Sequence, residues 1–81
     1  MSETEALNWI AGIFDATPGS IAPETVREDI QTWDSMGVLL LMAGLDEKFS
    51  ILMTDGDIAA MRRVDDILAV LRKHKKLDST Q

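Results

Sequence analysis

The amino-acid sequence predicts an all-α domain, a small four-helix bundle with a long loop between helices 1 and 2 and a short third helix. Three observations carry that expectation. Apolar residues recur at helical spacing in separate segments, such as Val38, Met42, Leu45 and Phe49 at i, i+4, i+7 and i+11. Breakers such as Thr17-Pro18-Gly19-Ser20 divide those segments. With 81 residues and no Cys, one domain is all the chain can form, and its core must come from helix packing without disulfide staples.

The first helix opens on Ser2-Glu3-Thr4-Glu5, a Ser-x-x-Glu capping box. Ala6, Leu7, Ile10, Ile13 and Phe14 follow at helical spacing over about a dozen residues. Trp9 lies off that stripe, either partly exposed or covered by a loop. From Thr17 to Trp33 no helical or strand period persists, and Pro18 and Pro23 interrupt the chain. Connections this long in small domains are uncommon and usually ordered for function. Ile21, Val26, Ile30 and Trp33 are its expected anchors.

A second helix is expected from about Asp34-Ser35, with Leu41 and Leu39 flanking the apolar stripe. Gly37 and Gly44 each weaken it by about 1 kcal/mol relative to Ala, Gly37 less because it lies in the first turn. Thr54 or Asp55 can cap a short third element over Gly56–Met61. The fourth helix is expected from Val64 to about Lys75, with Val64, Ile67, Leu68 and Leu71 inward. Asp65 and Asp66 begin it and Arg72, Lys73, Lys75 and Lys76 end it, which complements the helix dipole. The domain is assigned to residues 1–77, with 78–81 a flexible tail.

A formal charge of −6 repels phosphate backbones and argues against nucleic acid as a partner. The acidic start Met-Ser-Glu-Thr-Glu is unlike a signal peptide, and Met36–Leu45 is about half a membrane span. A monomeric, cytoplasmic chain with no membrane insertion is the expectation. The lone His74 cannot make a zinc site by itself, and Asp55-Gly56-Asp57 lacks the spacing and terminal Glu of an EF-hand, so no metal site is assigned. Weak divalent binding by Asp46, Glu47, Asp55 and Asp57 is the alternative to a plain solvated face.

The chemistry concentrates in Thr32-Trp33-Asp34-Ser35-Met36-Gly37, where the long loop meets the apolar helix. Ser and Asp are both good N-caps, so a structural explanation is available. Yet Asp34 can cap without Ser35, which leaves one of the two surplus. A helix N-terminus behind Ser35 would also favour a phosphodiester there. A self-sufficient Ser35 nucleophile needs a general base and an oxyanion hole. His74, amid Lys and Arg on another helix, is a poor candidate for that base, so the chain is not read as an enzyme.

Trp33-Asp34-Ser35-Met36-Gly37 followed by Val38–Phe49 resembles the acyl carrier protein family, whose hallmark is Asp-Ser-Leu at the start of the second helix. Met36 stands for the usual Leu, a volume-conserving change. Phe49-Ser50-Ile51 and Val64-Asp65-Asp66-Ile67 fall where that family has Phe-x-Ile and Val-x-x-(Ala/Ile), with no gap between Asp34 and Leu71. The likeness covers nearly the whole chain. It implies that a phosphopantetheinyl transferase attaches a 4′-phosphopantetheine arm from coenzyme A to Ser35, with Asp34 assisting through the transferase's metal. The arm would then hold acyl groups as thioesters for acyl-loading and acyl-processing enzymes.

Cargo stays open among fatty acyl, polyketide, aminoacyl and hydroxyacyl groups. Gln31-Thr32-Trp33-Asp34-Ser35 departs from the Gly-Gly-(His/Asp)-Ser of peptidyl carriers, and a specialised fatty-acid- or polyketide-like or aminoacyl pathway is the expectation.

Met36, Leu40, Ala43 and Glu47 form a second stripe on the same helix, grouped with Met61 as a partner-binding face. In the resembled family that face is often acidic, with Glu where Leu40 stands. Here it implies docking that relies on apolar contact, unless Ile30 or Trp33 simply covers Met36 and Leu40. Met42, Leu45, Ala59 and Ala60, with Met61, are candidates for the acyl cleft that the resemblance implies between the second and third helices, with ordinary core packing the preferred alternative for the larger of them. The alternative function is an unmodified helical adaptor that docks another protein through the Met36–Glu47 face.

Overall fold

A computed structural model describes residues 1–77; the expected tail, 78–81, lies outside the described residues. Four α-helices follow in order: α1 (Glu3–Ile13), α2 (Ser35–Phe49), α3 (Asp55–Ala59) and α4 (Val64–Lys73). A 3-10 turn, Arg27–Asp29, interrupts the long connection between α1 and α2. No strand occurs among the described residues. An isolated antiparallel bridge pairs Val26 with Arg63.

Local chemistry sets each helix start. The Ser2 hydroxyl accepts from the Glu5 N–H at 3.1 Å, and Glu5 accepts in return from the Ser2 N–H at 2.8 Å. Thr54 and Asp57 repeat that exchange at α3. At α4 the Asp66 carboxylate reaches back to the N–H groups of Arg62 and Arg63, at 2.8 and 3.1 Å. α2 ends where Ser50 turns left-handed at φ 56°, which sends Ile51 into the core.

One cluster of buried side chains joins all four helices. Ala6, Ile10 and Ala11 of α1 meet Val38, Leu41 and Leu45 of α2, with Ile58 of α3 and Val64, Ile67, Leu68 and Leu71 of α4. Each fully buried Leu or Ile stabilises the fold by roughly 1.5–3 kcal/mol relative to exposure. Trp9, off the main α1 stripe, is partly buried and meets Phe49 edge-on at 5.1 Å. Gly44 allows that approach, since a Cβ there would crowd Ile13 and Trp9.

The long loop is ordered by three of its four expected anchors, with Ile21, Ile30 and Trp33 buried and Val26 half-buried. Its backbone is tied to the start of α4. The Arg27 N–H donates to the Arg62 carbonyl at 2.8 Å, and the Val64 N–H donates to the Thr25 carbonyl at 2.9 Å. Leu39, expected on the flank of the core stripe, is 51% exposed, because the buried arc of α2 turns through Val38, Leu41 and Leu45 instead.

Candidate functional site

The start of α2 is held from below by the end of α1. Phe14 and Trp33 stack with ring centroids 5.0 Å apart and planes 21° from parallel. The Thr32 hydroxyl donates to the Phe14 carbonyl. Gly37 closes the junction: a Cβ there would fall well inside contact distance of the Thr32 carbonyl oxygen. Sequence spacing treats this glycine as a minor helix defect, whereas its packing makes it the residue that lets loop and helix meet.

Asp34 is the N-cap of α2, its Oδ1 accepting from the Met36 and Gly37 N–H groups, both at 3.1 Å. Ser35 is therefore not needed as a cap. It is the first residue of the helix, exposed, and its hydroxyl makes no hydrogen bond among the described residues. Of the two capping residues offered by the sequence, the carboxylate does the capping and the hydroxyl faces solvent.

Ser35 borders an open cleft of about 440 Å³ between α2 and α3, lined with it by Arg27, Val38, Leu39, Asp55 and Ala59. Arg27 spans one end: its Nε donates to the Trp33 carbonyl at 3.2 Å and its Nη1 to the Ala59 carbonyl at 2.9 Å. Its guanidinium carbon lies 5.8 Å from the Trp33 ring centroid. Nothing in the sequence singles out this arginine, which stands alone in an aperiodic loop and becomes central through two tertiary contacts.

The other expected residues divide. Met36 is 63% exposed and Leu40 48%, and Ala43 and Glu47 are also exposed, so these four share the outer surface of α2. Ile30 and Trp33 do not cover them, because both are buried in the core cluster. Met36 and Leu40 instead edge a small hollow of about 180 Å³ against Ile13 and Phe14, with Asp15 and Asp34 at its rim. Met61 does not belong to this face; it is buried with the core.

Of the cleft candidates, Ala59 lines the space beside Ser35. Leu45 is fully buried in the core, Met42 is partly buried against it, and Ala60 caps the end of α3 outside the cleft lining. The apolar wall of this cleft comes from Val38 and Leu39, not from the Met42 and Leu45 that the sequence suggests. Asp55 and Asp57 form the first turn of α3, where the Asp57 carboxylate accepts from the Thr54 N–H at 3.4 Å. Among the described residues, no group of three or more His, Cys, Asp or Glu is placed to hold a metal ion.

The fold and site define a small all-helical protein with a free hydroxyl at the head of its second helix. No described helix is long and apolar enough to cross a membrane. Comparison with known proteins found no matching family model and no matching curated protein.

Proposed function

We propose that this chain is a carrier protein modified on Ser35 by a 4′-phosphopantetheine arm. The observation that carries the reading is the division of labour at α2: Asp34 takes both cap hydrogen bonds and leaves the Ser35 hydroxyl exposed and unbonded. The proposal also rests on the resemblance of Trp33-Asp34-Ser35-Met36-Gly37 and the helices after it to acyl carrier proteins.

The residues suit the chemistry. In the transfer, the Ser35 oxygen forms a bond to the phosphorus of coenzyme A that bears the pantetheine. The bond from that phosphorus to the adenosine bisphosphate breaks, and the Ser35 proton passes to the transferase. When bound, the arm supplies a thiol that holds an acyl group as a thioester. The resulting phosphodiester stands at the N-terminal end of a 15-residue helix, where the dipole favours an anion. Val38, Leu39 and Ala59 offer the first stretch of the arm an apolar wall. Asp34, exposed beside the hydroxyl, can contribute a carboxylate to the transferase's metal. Tethering replaces repeated binding of cargo by a high effective concentration.

The adaptor reading is favoured by one observation, the exposed apolar run of Met36, Leu39 and Leu40. Incubation with coenzyme A and a broad-specificity phosphopantetheinyl transferase, followed by intact-mass measurement, separates the two. A carrier gains one phosphopantetheine and Ser35→Ala gains none, whereas an adaptor is unchanged.

A further inference from the structure

We propose that Arg27 is the cationic contact for the phosphodiester on Ser35, an assignment that rests on the carrier reading above. Among the described residues, Arg27 is the only cation lining the cleft that Ser35 borders. Its position is fixed by two hydrogen bonds and by the Trp33 ring beneath it. One of those bonds ends on the carbonyl of Trp33, two residues before Ser35, or about 7 Å along the chain. Ser35 itself lines that cleft, so Arg27 is the cation on the wall beside its oxygen.

The charge of Arg27 is unspent. Arg27 is half-buried as a residue, yet no carboxylate of the described residues lies in salt-bridge contact with it. Asp55 lines the same cleft without reaching it, and the Asp34 carboxylate is engaged by the Met36 and Gly37 N–H groups. Nε and one Nη1 hydrogen go to carbonyls, while both Nη2 hydrogens have no acceptor among the described residues. A guanidinium with such paired N–H donors unused gains from an anion that takes both, and a phosphate does so with matching geometry. Clamping the loop to α3 accounts for the two carbonyl bonds. It does not account for a cation whose free edge shares a cleft with the Ser35 hydroxyl.

The test compares modified and unmodified chains by NMR, after intact mass has established whether the arm is attached. Modification is expected to shift the Arg27 Nε–Hε resonance. Arg27→Gln is expected to move the 31P signal of the modified chain to that of the same phosphodiester in the urea-unfolded modified chain, and Arg27→Lys to retain part of the difference. Amide exchange across α3 in both variants reports the clamp. If Lys loosens α3 as Gln does but keeps part of the 31P shift, the charge is acting and the clamp alone is not.

An unchanged Arg27 resonance on modification, or an unchanged 31P signal in Arg27→Gln, overturns the assignment and leaves the carrier reading standing. Absence of any mass gain ends both. A parallel titration of the unmodified chain with inorganic phosphate is expected to shift Arg27 only weakly. A strong response there, with none on modification, would reassign the site to a free anion and overturn the proposal.

Discussion

The two sides of α2 divide sharply. Inward, Val38, Leu41 and Leu45 are buried, Gly37 admits the Thr32 carbonyl, and Trp33 packs on Phe14 with 3% of its surface exposed. Outward, the Ser35 hydroxyl makes no hydrogen bond among the described residues, and Met36, Leu39 and Leu40 keep about half or more of their surface in water. Folding accounts for the first set and for little of the second. Scattered exposed apolar residues are ordinary, but here several adjoin a free hydroxyl on one helix. The contrast teaches where fold stability ends and surface chemistry begins, and it makes each side separately breakable.

The largest effect is expected inward. Leu41→Ala should destabilise the chain by about 2–5 kcal/mol through the cavity it leaves. A chain of 81 residues holds only roughly 4–12 kcal/mol in total, so urea denaturation should find this variant close to unfolding. Gly37→Ala should cost about 1–3 kcal/mol by forcing the Thr32 carbonyl away, although alanine favours helices in isolation. A stabilised Gly37→Ala would refute the close approach of loop and helix.

Outward, the sign of the comparison reverses. Leu40→Glu should change stability by less than about 0.5 kcal/mol. It should nevertheless slow modification of Ser35 by the transferase, if the outer face docks partners by apolar contact. That reaction should also depend little on salt. A steep salt dependence, or an unchanged rate with Leu40→Glu, would count against the docking face.

The smallest effect lies far from Ser35. The Ser2 backbone N–H, then the Ser2 side chain, hold the Glu5 carboxyl below its ordinary pKa, helped by the N-terminal ammonium and Lys48. A folded pKa lower than the unfolded one gives stability that is present above the unfolded pKa and lost as pH falls through the folded value. Glu5→Gln should therefore flatten the acid limb of the stability profile slightly and leave neutral pH nearly unchanged, as thermal melts across acid pH would show.

Helix positions were legible in the sequence because caps and spacing are local. Ser2, Asp34 and Thr54 all cap where side-chain chemistry suggests, and α4 stops at Lys73, two residues short of the expected Lys75, where Lys75 itself turns left-handed at φ 59°. What escaped is tertiary. Gly37 matters for a carbonyl five residues upstream in a loop with no period, and Arg27 for carbonyls at Trp33 and Ala59. Met61 and Leu45 are open in the sequence between an outer face or cleft and the core, and both fill the core, while Leu39, on the flank of the stripe, faces the cleft. A helix stripe about 100° wide leaves its flanking residues undecided until a neighbour arrives. The site followed the same rule: Asp34 and Ser35 were visible as a pair, and only the hydrogen bonds divided capping from free hydroxyl.

The central claim concerns that free hydroxyl, and one measurement bears on it most directly. The purified chain is incubated with coenzyme A and a broad-specificity phosphopantetheinyl transferase, and its intact mass is recorded beside that of Ser35→Ala. The account predicts a single phosphopantetheine added to the parent chain and none to the variant. An unchanged parent mass, or equal addition to Ser35→Ala, would contradict it.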